Sequence, residues 1–463
     1  MTNLTWNDLP GHPTRWWGLP VLAAMRRDYL AVISAQRPLG DLVRQQILGE
    51  RAVDIFDPEL LRAVMVDHAD ALVRWARGPE VFAELMGQSV LVTEGATWQR
   101  QRRMLMQAFT PRRVAGYAAL MTEAATAGLA GVLNGQDSGE VAMDALFSHL
   151  TMDVISRTLF STPIGSDTAA AAHAVQVLSE TALAEMFWPF TLPDWLPLPG
   201  KAAKRRAGRL LHGLLGGHID ARRASAGNAA DARPDLLGML MALRDEATGE
   251  ALSPQEVYDQ CMVSFQAGHE TSATALLWWS GLLAAHPEAQ ARARAEVDAV
   301  LGGRAPGADD LAALPFLGAT LKEAMRLYPP VAALLTRRLT REITVGDVRL
   351  PARTLVRVTP WLLHRDPRWW PDEPLGFKPE RFLPAPAGQP AREIPRGAYI
   401  PFGLGPRVCL GQHFAVLEMT LIAALVLQRF ELAPTGAEAP RPRMAVTLRP
   451  EGGLRLRLGR RPA

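Results

Sequence analysis

Residues 402–411 read Phe402-Gly-Leu-Gly405-Pro-Arg407-Val-Cys409-Leu-Gly411. The stretch wraps a single cysteine in glycines. Glycine lets a backbone come close to a sulfur atom and adopt the left-handed conformations of a tight loop. Residues Gln412 to Leu427 follow as a good apolar helix, whose positive end would favour the ionised thiol. Arg407 stands two residues before the sulfur, able to reach an anionic group. A dinucleotide-binding fingerprint is excluded, because the third glycine position after Gly403 and Gly405 is Val408. A glycine-rich turn around a structural cysteine is the bland alternative, and the length of the pattern weighs against it.

The rest of the composition narrows the setting. The chain has 463 residues, 48% hydrophobic and 21% charged, enough to bury a large core. A formal charge of +3 with no concentrated basic stripe gives no case for nucleic acid. With Cys261 and Cys409 as the whole cysteine content, neither a disulfide framework nor a cysteine-rich zinc site is available. The N-terminus lacks a signal-peptide pattern, and Gly18 to Met25 falls well short of the ~20 apolar residues of a spanning helix. The expectation is a soluble, cytoplasmic protein with no membrane anchor.

Helical spacing dominates. Residues 58–74 and 97–133 carry it, with strong helix formers over 115–134. The Pro- and Trp-rich stretch 188–200 reads as a loop between helices. Near residue 254 the start is explicit: Ser253 as cap, Pro254 in the first turn and Glu256 closing a capping box. The apolar run then extends to His286-Pro287, roughly 30 residues or ~45 Å, which must pass through the protein interior. Strands are few. A hairpin is predicted over 343–350, strands over 355–358 and 51–56, and a second hairpin pairing 446–449 with 454–458 around Glu451-Gly-Gly. The prediction is one mainly α domain over residues 1–463 with a minor β-sheet.

Three further motifs occur in sequence. Glu323-Ala-Met-Arg326 puts an acid and a base on one helix face. Ala267-Gly-His-Glu-Thr271 places polar groups mid-way along the long apolar helix, and it is not a zinc-protease motif, since the second histidine position is Ala273. Trp98-Gln-Arg-Gln-Arg102 lies on an earlier helix. With the loop's fit to F-x-x-G-x-R-x-C-x-G, the chain resembles the cytochrome P-450 family from about residue 50 to its end. That resemblance implies the cytochrome P-450 fold, with haem b (iron protoporphyrin IX) between the long central helix and the helix after the cysteine loop.

The resemblance also implies roles. Cys409 would be the axial iron ligand. Trp98, Arg102, Ala267, Arg337, Phe402, Arg407 and Gly411 would contact the haem, with the arginines and Trp98 on its propionates. Thr271 would hold dioxygen or its water and Glu270 would relay protons, where the central helix loosens. Glu323, Arg326 and Arg381 would be structural. The implied activity is that of a monooxygenase inserting one oxygen atom of O2 into a hydrophobic organic substrate, such as a fatty acid, terpenoid or secondary metabolite. Electrons would come from NAD(P)H through a separate ferredoxin or flavodoxin with its reductase, docking near Arg100, Arg103, Arg112 and Arg113. The expected pocket is apolar: Phe82, Leu85, Met86, Val90, Phe187, Phe190, Phe265, Val331, Ala333 and Leu334. A monomer is expected. A peroxide-driven peroxygenase or isomerase is one alternative, against which the retained Glu270 and Thr271 argue; a haem-based sensor or carrier is another.

Overall fold

The helix predicted from residue 254 runs Pro254–Ala285 in the structure, a computed structural model that describes residues 4–11, 16–163, 165–188, 192–196, 198, 200–224, 235–333, 335–385, 393–436 and 440–461. Both bonds of its capping box form: the Glu256 amide donates to Ser253 Oγ at 3.1 Å, and the Ser253 amide to the Glu256 carboxylate at 2.8 Å. It ends at His286, held extended by the following Pro287. At 32 residues it spans about 48 Å and is buried on most sides. Its main neighbour is the helix Met143–Phe160. Gly268 lets the two approach, because a Cβ there would lie 3.1 Å from Ile155 Cδ1.

The fold is mainly helical with small sheets, as predicted. The largest sheet orders its strands Leu42–Ile47, Glu50–Ile55, Leu355–Val358, Leu335–Leu339 and Leu72–Arg74. Only the Glu50–Ile55 and Leu355–Val358 pair is parallel. The hairpin over 343–350 forms and turns at Gly346, whose φ is +62°.

Three local predictions fail. The run 58–74 is a helix only over Pro58–Arg62; it loosens into a π turn at Ala63–Asp67 and becomes the edge strand Leu72–Arg74. Helix 97–133 is divided into Gly95–Ala108, Pro111–Ala115 and Ala118–Ala130, with Pro111 at the first break and Gly116-Tyr117 at the second. The C-terminal hairpin does not form. Leu448–Pro450 pairs with Pro442–Met444, while Arg455–Arg460 lies between Phe430–Pro434 and Ser138–Ala142. Gly452 and Gly453, with φ of +79° and +80°, redirect the chain instead of folding it back on itself.

Glu323 and Arg326 form a fully buried ion pair, with two contacts of 2.7 Å. Arg326 also donates to the carbonyls of His364 and Pro374 at 2.7 Å and of Gly376 at 3.0 Å. Glu323 accepts from the Lys378 amide at 2.9 Å, and Arg381 Nε lies 3.4 Å away. The expected structural triad is therefore assembled. Replacing Arg326 with Met would leave a buried carboxylate and several carbonyls uncompensated. We expect a loss of about 3–5 kcal/mol, read from guanidinium unfolding followed by circular dichroism.

Candidate active site

Cys409 sits at the bottom of an internal cavity of about 450 Å³. Its surface is accessible, but only because the sulfur faces that cavity; the residue is otherwise enclosed. The loop is set by glycines where the backbone demands them. Gly403 and Gly405 have φ of +84° and +80°, and a Cβ on Gly405 would collide with the Met65 carbonyl at 2.1 Å. The Cys409 amide donates to the Phe402 carbonyl at 2.9 Å, closing the loop, and the helix Gln412–Arg429 starts at Gly411. Burial pushes the thiol pKa up, opposed by the Gly411 amide and by Arg102. A thiol so placed needs further stabilisation of its anion, such as a metal supplies.

On one side of the cavity lies an unbalanced group of cations. Arg74 and Arg337 are direct cross-strand partners, a like-charge pairing that is unfavourable by itself. Arg407 joins them and stacks over Trp98 at 4.0 Å. Glu94 is the acid among the three: it accepts from Arg407 at 2.5 Å and from the Arg74 amide at 3.0 Å. Burial, then the neighbouring Arg337 and Arg407, lowers Arg74 to about 9. Burial and Arg407 lower Arg337 to about 10. Arginine stays charged, so three guanidinium groups are held here at a cost of burial and mutual repulsion that Glu94 alone does not offset. Arg407 Nη1 and Arg74 Nε are buried without a hydrogen-bond partner. Three guanidinium groups around one carboxylate fit a ligand bringing two carboxylates, as haem does. Arg102 lines the same cavity and donates to the Val408 carbonyl at 2.9 Å.

The central helix forms the opposite wall. Ala267, Glu270 and Thr271 all face the cavity. The Thr271 hydroxyl donates to the Ala267 carbonyl at 2.8 Å, within an unbroken helix. The loosening expected there is absent: Gly268 is used for packing against Ile155 and the helix stays regular, although both ring nitrogens of the buried His269 have no hydrogen-bond partner. Glu270 accepts from Ser179 Oγ at 2.5 Å, Thr447 Oγ1 at 2.7 Å and Arg449 at 3.1 Å.

Among the other predicted residues, Trp98, Phe402 and Gly411 line the cavity, as do Phe82, Leu85, Met86, Val90 and Val331. Phe187, Phe265 and Ala333 do not: Phe187 packs on Tyr29, Phe265 lies in the helical core, and Ala333 packs in the cluster around Phe187. Phe190 and Leu334 fall outside the described residues. Of the basic patch, Arg103, Arg112 and Arg113 are exposed, Arg103 while paired with Asp245, whereas Arg100 is partly buried against Glu256.

A family model described as cytochrome P-450 matches residues 10–456. The chain belongs to that family. It is 36% identical to cyclooctatin synthase of Streptomyces melanosporofaciens, an alignment covering 94% of this chain and 95% of that one. Cyclooctat-9-en-7-ol 5-monooxygenase of the same organism is 32% identical, covering 92% and 88%. A plant relative, 11-oxo-beta-amyrin 30-oxidase of Glycyrrhiza uralensis, is 35% identical over 78% of this chain and 70% of its own. As a cytochrome P-450 the protein is an oxidoreductase, a monooxygenase of hydrophobic substrates. No described helix is long and apolar enough to cross a membrane.

Several residues of this cytochrome P-450 site were not legible as such. Arg74 and Glu94 sit in unremarkable local sequence, and only the β-pairing brings Arg74 opposite Arg337. Ser179, Thr447 and Arg449 reach Glu270 from 91, 177 and 179 residues away. Glu418 is fully buried with both oxygens unpartnered, and burial raises it to about 8, with Ser272 opposing.

Two outcomes follow for this cytochrome P-450. Arg74→Leu should leave the haem-free protein as stable or more so, by relieving repulsion, while haem transfer to apomyoglobin speeds up about tenfold. Glu418 has a folded pKa above its ordinary 4.5, so its contribution is complete below pH 4.5 and is lost as pH rises to about 8. Glu418→Gln should remove that slope and stabilise the protein at pH 8 by a few kcal/mol, measured by denaturant titration at pH 5 and pH 8.

Proposed function

We propose that Cys409, as thiolate, ligates the iron of haem b, and that Arg74, Trp98, Arg102, Arg337 and Arg407 hold the propionates. The observation that carries this reading is the surplus of buried arginine beside a cavity-facing cysteine. Phe402 and Gly411 would flank the ring from the thiolate side, and Ala267 from the central helix. When bound, haem supplies O2 activation and insertion of one oxygen atom into a C–H bond.

The protein's own part is proton handling and exclusion of water. Thr271 uses its proton on the Ala267 carbonyl, so its oxygen can accept a further hydrogen bond beside the cavity. By rotating, it can donate into the cavity instead. Glu270 is anchored to Thr447 and to Arg449, whose side chain is 28% exposed. That chain of polar groups offers a proton route from solvent to the middle of an apolar helix. The apolar wall from Phe82 to Val90 keeps bulk water out.

The substrate we infer is a hydrophobic terpenoid, in line with relatives named for cyclooctat-9-en-7-ol and 11-oxo-beta-amyrin. Electrons would arrive from NAD(P)H through a ferredoxin or flavodoxin, with Arg112 and Arg113 as the free part of its docking face. A cytoplasmic location suits such donors.

The deciding experiment is the carbon monoxide difference spectrum of the dithionite-reduced protein. A Soret band near ~450 nm is expected, and Cys409→Ser should abolish it. A wild-type band near ~420 nm would overturn the assignment of the ligand. Thr271→Ala should divert at least about half of the NAD(P)H consumed to hydrogen peroxide, with the carbon monoxide band unchanged.

A further inference from the structure

Toward the start of the central helix the cavity wall is apolar, formed by Phe82, Leu85, Met86, Val90 and Val263. Two polar residues interrupt it. Gln260 and Ser264 line the cavity and, with Ala267 and Thr271, fall at i, i+4, i+7 and i+11 on one helix face. Gln260 is fully buried. The orientation of its amide is fixed, because a backbone N–H needs an acceptor: Oε1 takes the Val90 amide at 3.1 Å. That leaves Nε2, a donor with no partner among the described residues. Ser264, one turn on, is partly exposed, and on this interior helix the exposure is to the cavity. Its hydroxyl bonds no described residue, whereas that of Thr271 returns to its own helix.

The surroundings hold Gln260 still. Asp259 accepts the Gln88 amide at 2.8 Å, and Gln101 donates to the Gln88 carbonyl at 2.9 Å, so the loop that Gln260 grips is tied down beside it. A buried donor left without an acceptor is unfavourable, and a native site that keeps one has a use for it. The chemistry of the acceptor is also restricted. The arginines lining the cavity are Arg74, Arg102, Arg337 and Arg407, on the thiolate side, and among the described residues no lysine or histidine lines it. A carboxylate beside Gln260 would be an unpaired buried charge, so a neutral oxygen fits and an acid does not.

We propose that Gln260 and Ser264 are specificity residues that hold a hydroxyl or carbonyl oxygen already present on the substrate. This rests on the terpenoid reading above. Along the helix Ser264 and Gln260 lie about 10 and 16 Å from Thr271, which places that oxygen roughly 10 Å or more from the carbon that is oxidised. The reaction supplying this substrate is therefore one that puts oxygen on a hydrocarbon skeleton, an oxygenation or a capture of water. The present enzyme then oxidises the far end.

The test is the spin-state shift of the ferric, haem-loaded full chain on titration with diterpenes of abietane and kaurane skeleton. Each skeleton is used as hydrocarbon, primary alcohol, aldehyde and carboxylic acid. Alcohol and aldehyde should bind more tightly than hydrocarbon or carboxylate; the aldehyde matters because it can only accept. Gln260→Met should weaken alcohol and aldehyde at least about tenfold, or about 1.4 kcal/mol, the scale of one neutral hydrogen bond. The hydrocarbon should change less than about twofold, with the carbon monoxide band retained. Ser264→Ala, which removes one oxygen atom, should weaken the alcohol about threefold and keeps the test open if Gln260→Met does not fold. Equal losses for hydrocarbon and alcohol, or no loss in either variant, overturn the proposal. Hydrocarbons that bind wild type as tightly as their alcohols overturn it while leaving the terpenoid reading intact. Binding of no member of either series overturns both.

Discussion

Everything at the thiolate side of the cavity hangs from the guanidinium of Arg326. It is fully buried, saturated by Glu323 and three backbone carbonyls, and backed by the Trp370 ring at 4.9 Å. One of those carbonyls belongs to His364, whose ring burial holds at about 3 and therefore neutral. A neutral ring can accept a hydrogen bond, and His364 Nε2 takes one from the Ile400 amide at 2.8 Å. Two residues later the glycine loop begins. The ion pair is thus a fixed point from which the path of the cysteine loop is measured, and its value lies in position more than in net stability.

The cavity segregates charge by wall. Positive groups crowd the side near Cys409, where Arg74, Arg337 and Arg407 outnumber Glu94. On the opposite wall the acid Glu270 is held by two hydroxyls and one arginine. Such a field favours anions on one side and leaves a proton carrier on the other, without either charge meeting water in bulk. The cost is an interior with unsatisfied donors until a dianionic ligand arrives, which is the usual trade of stability for function at a site.

Much of this was readable in the chain. Motifs whose chemistry is local, the Gly403–Gly411 loop, Glu323 with Arg326, and the capped helix start at Ser253, carry their geometry in their own spacing. Arg74 could not be read, because its meaning comes from lying opposite Arg337 across a strand pair 263 residues apart in register, and sequence spacing does not encode sheet pairing. The failed hairpin at 446–458 has the same origin. Alternating residues around two glycines fit a tight turn, yet Leu448–Pro450 pairs with the segment just before it, Pro442–Met444, and Arg455–Arg460 with Phe430–Pro434 and the distant Ser138–Ala142. Phe265 was misplaced because a helix buried on all sides gives no periodic signal for which face meets a cavity.

The glycine in Ala267-Gly-His-Glu-Thr271 shows how one residue can be read for the wrong reason. A glycine in a buried helix suggests a break, and a break beside Thr271 would suit a ligand-binding kink. The structure instead spends Gly268 on packing: Ile155 fills the space a side chain would occupy, and the hydrogen-bond ladder continues. Thr271 then satisfies its hydroxyl within its own helix, one turn back. Any group bound over Cys409 must compete with the Ala267 carbonyl for that proton, a neutral hydrogen bond with a net worth of about 1 kcal/mol. The competition is easily won by an anionic oxygen and hardly by a hydrocarbon. The helix can therefore stay regular while apolar substrate enters, and yield its proton only when charge develops beside it.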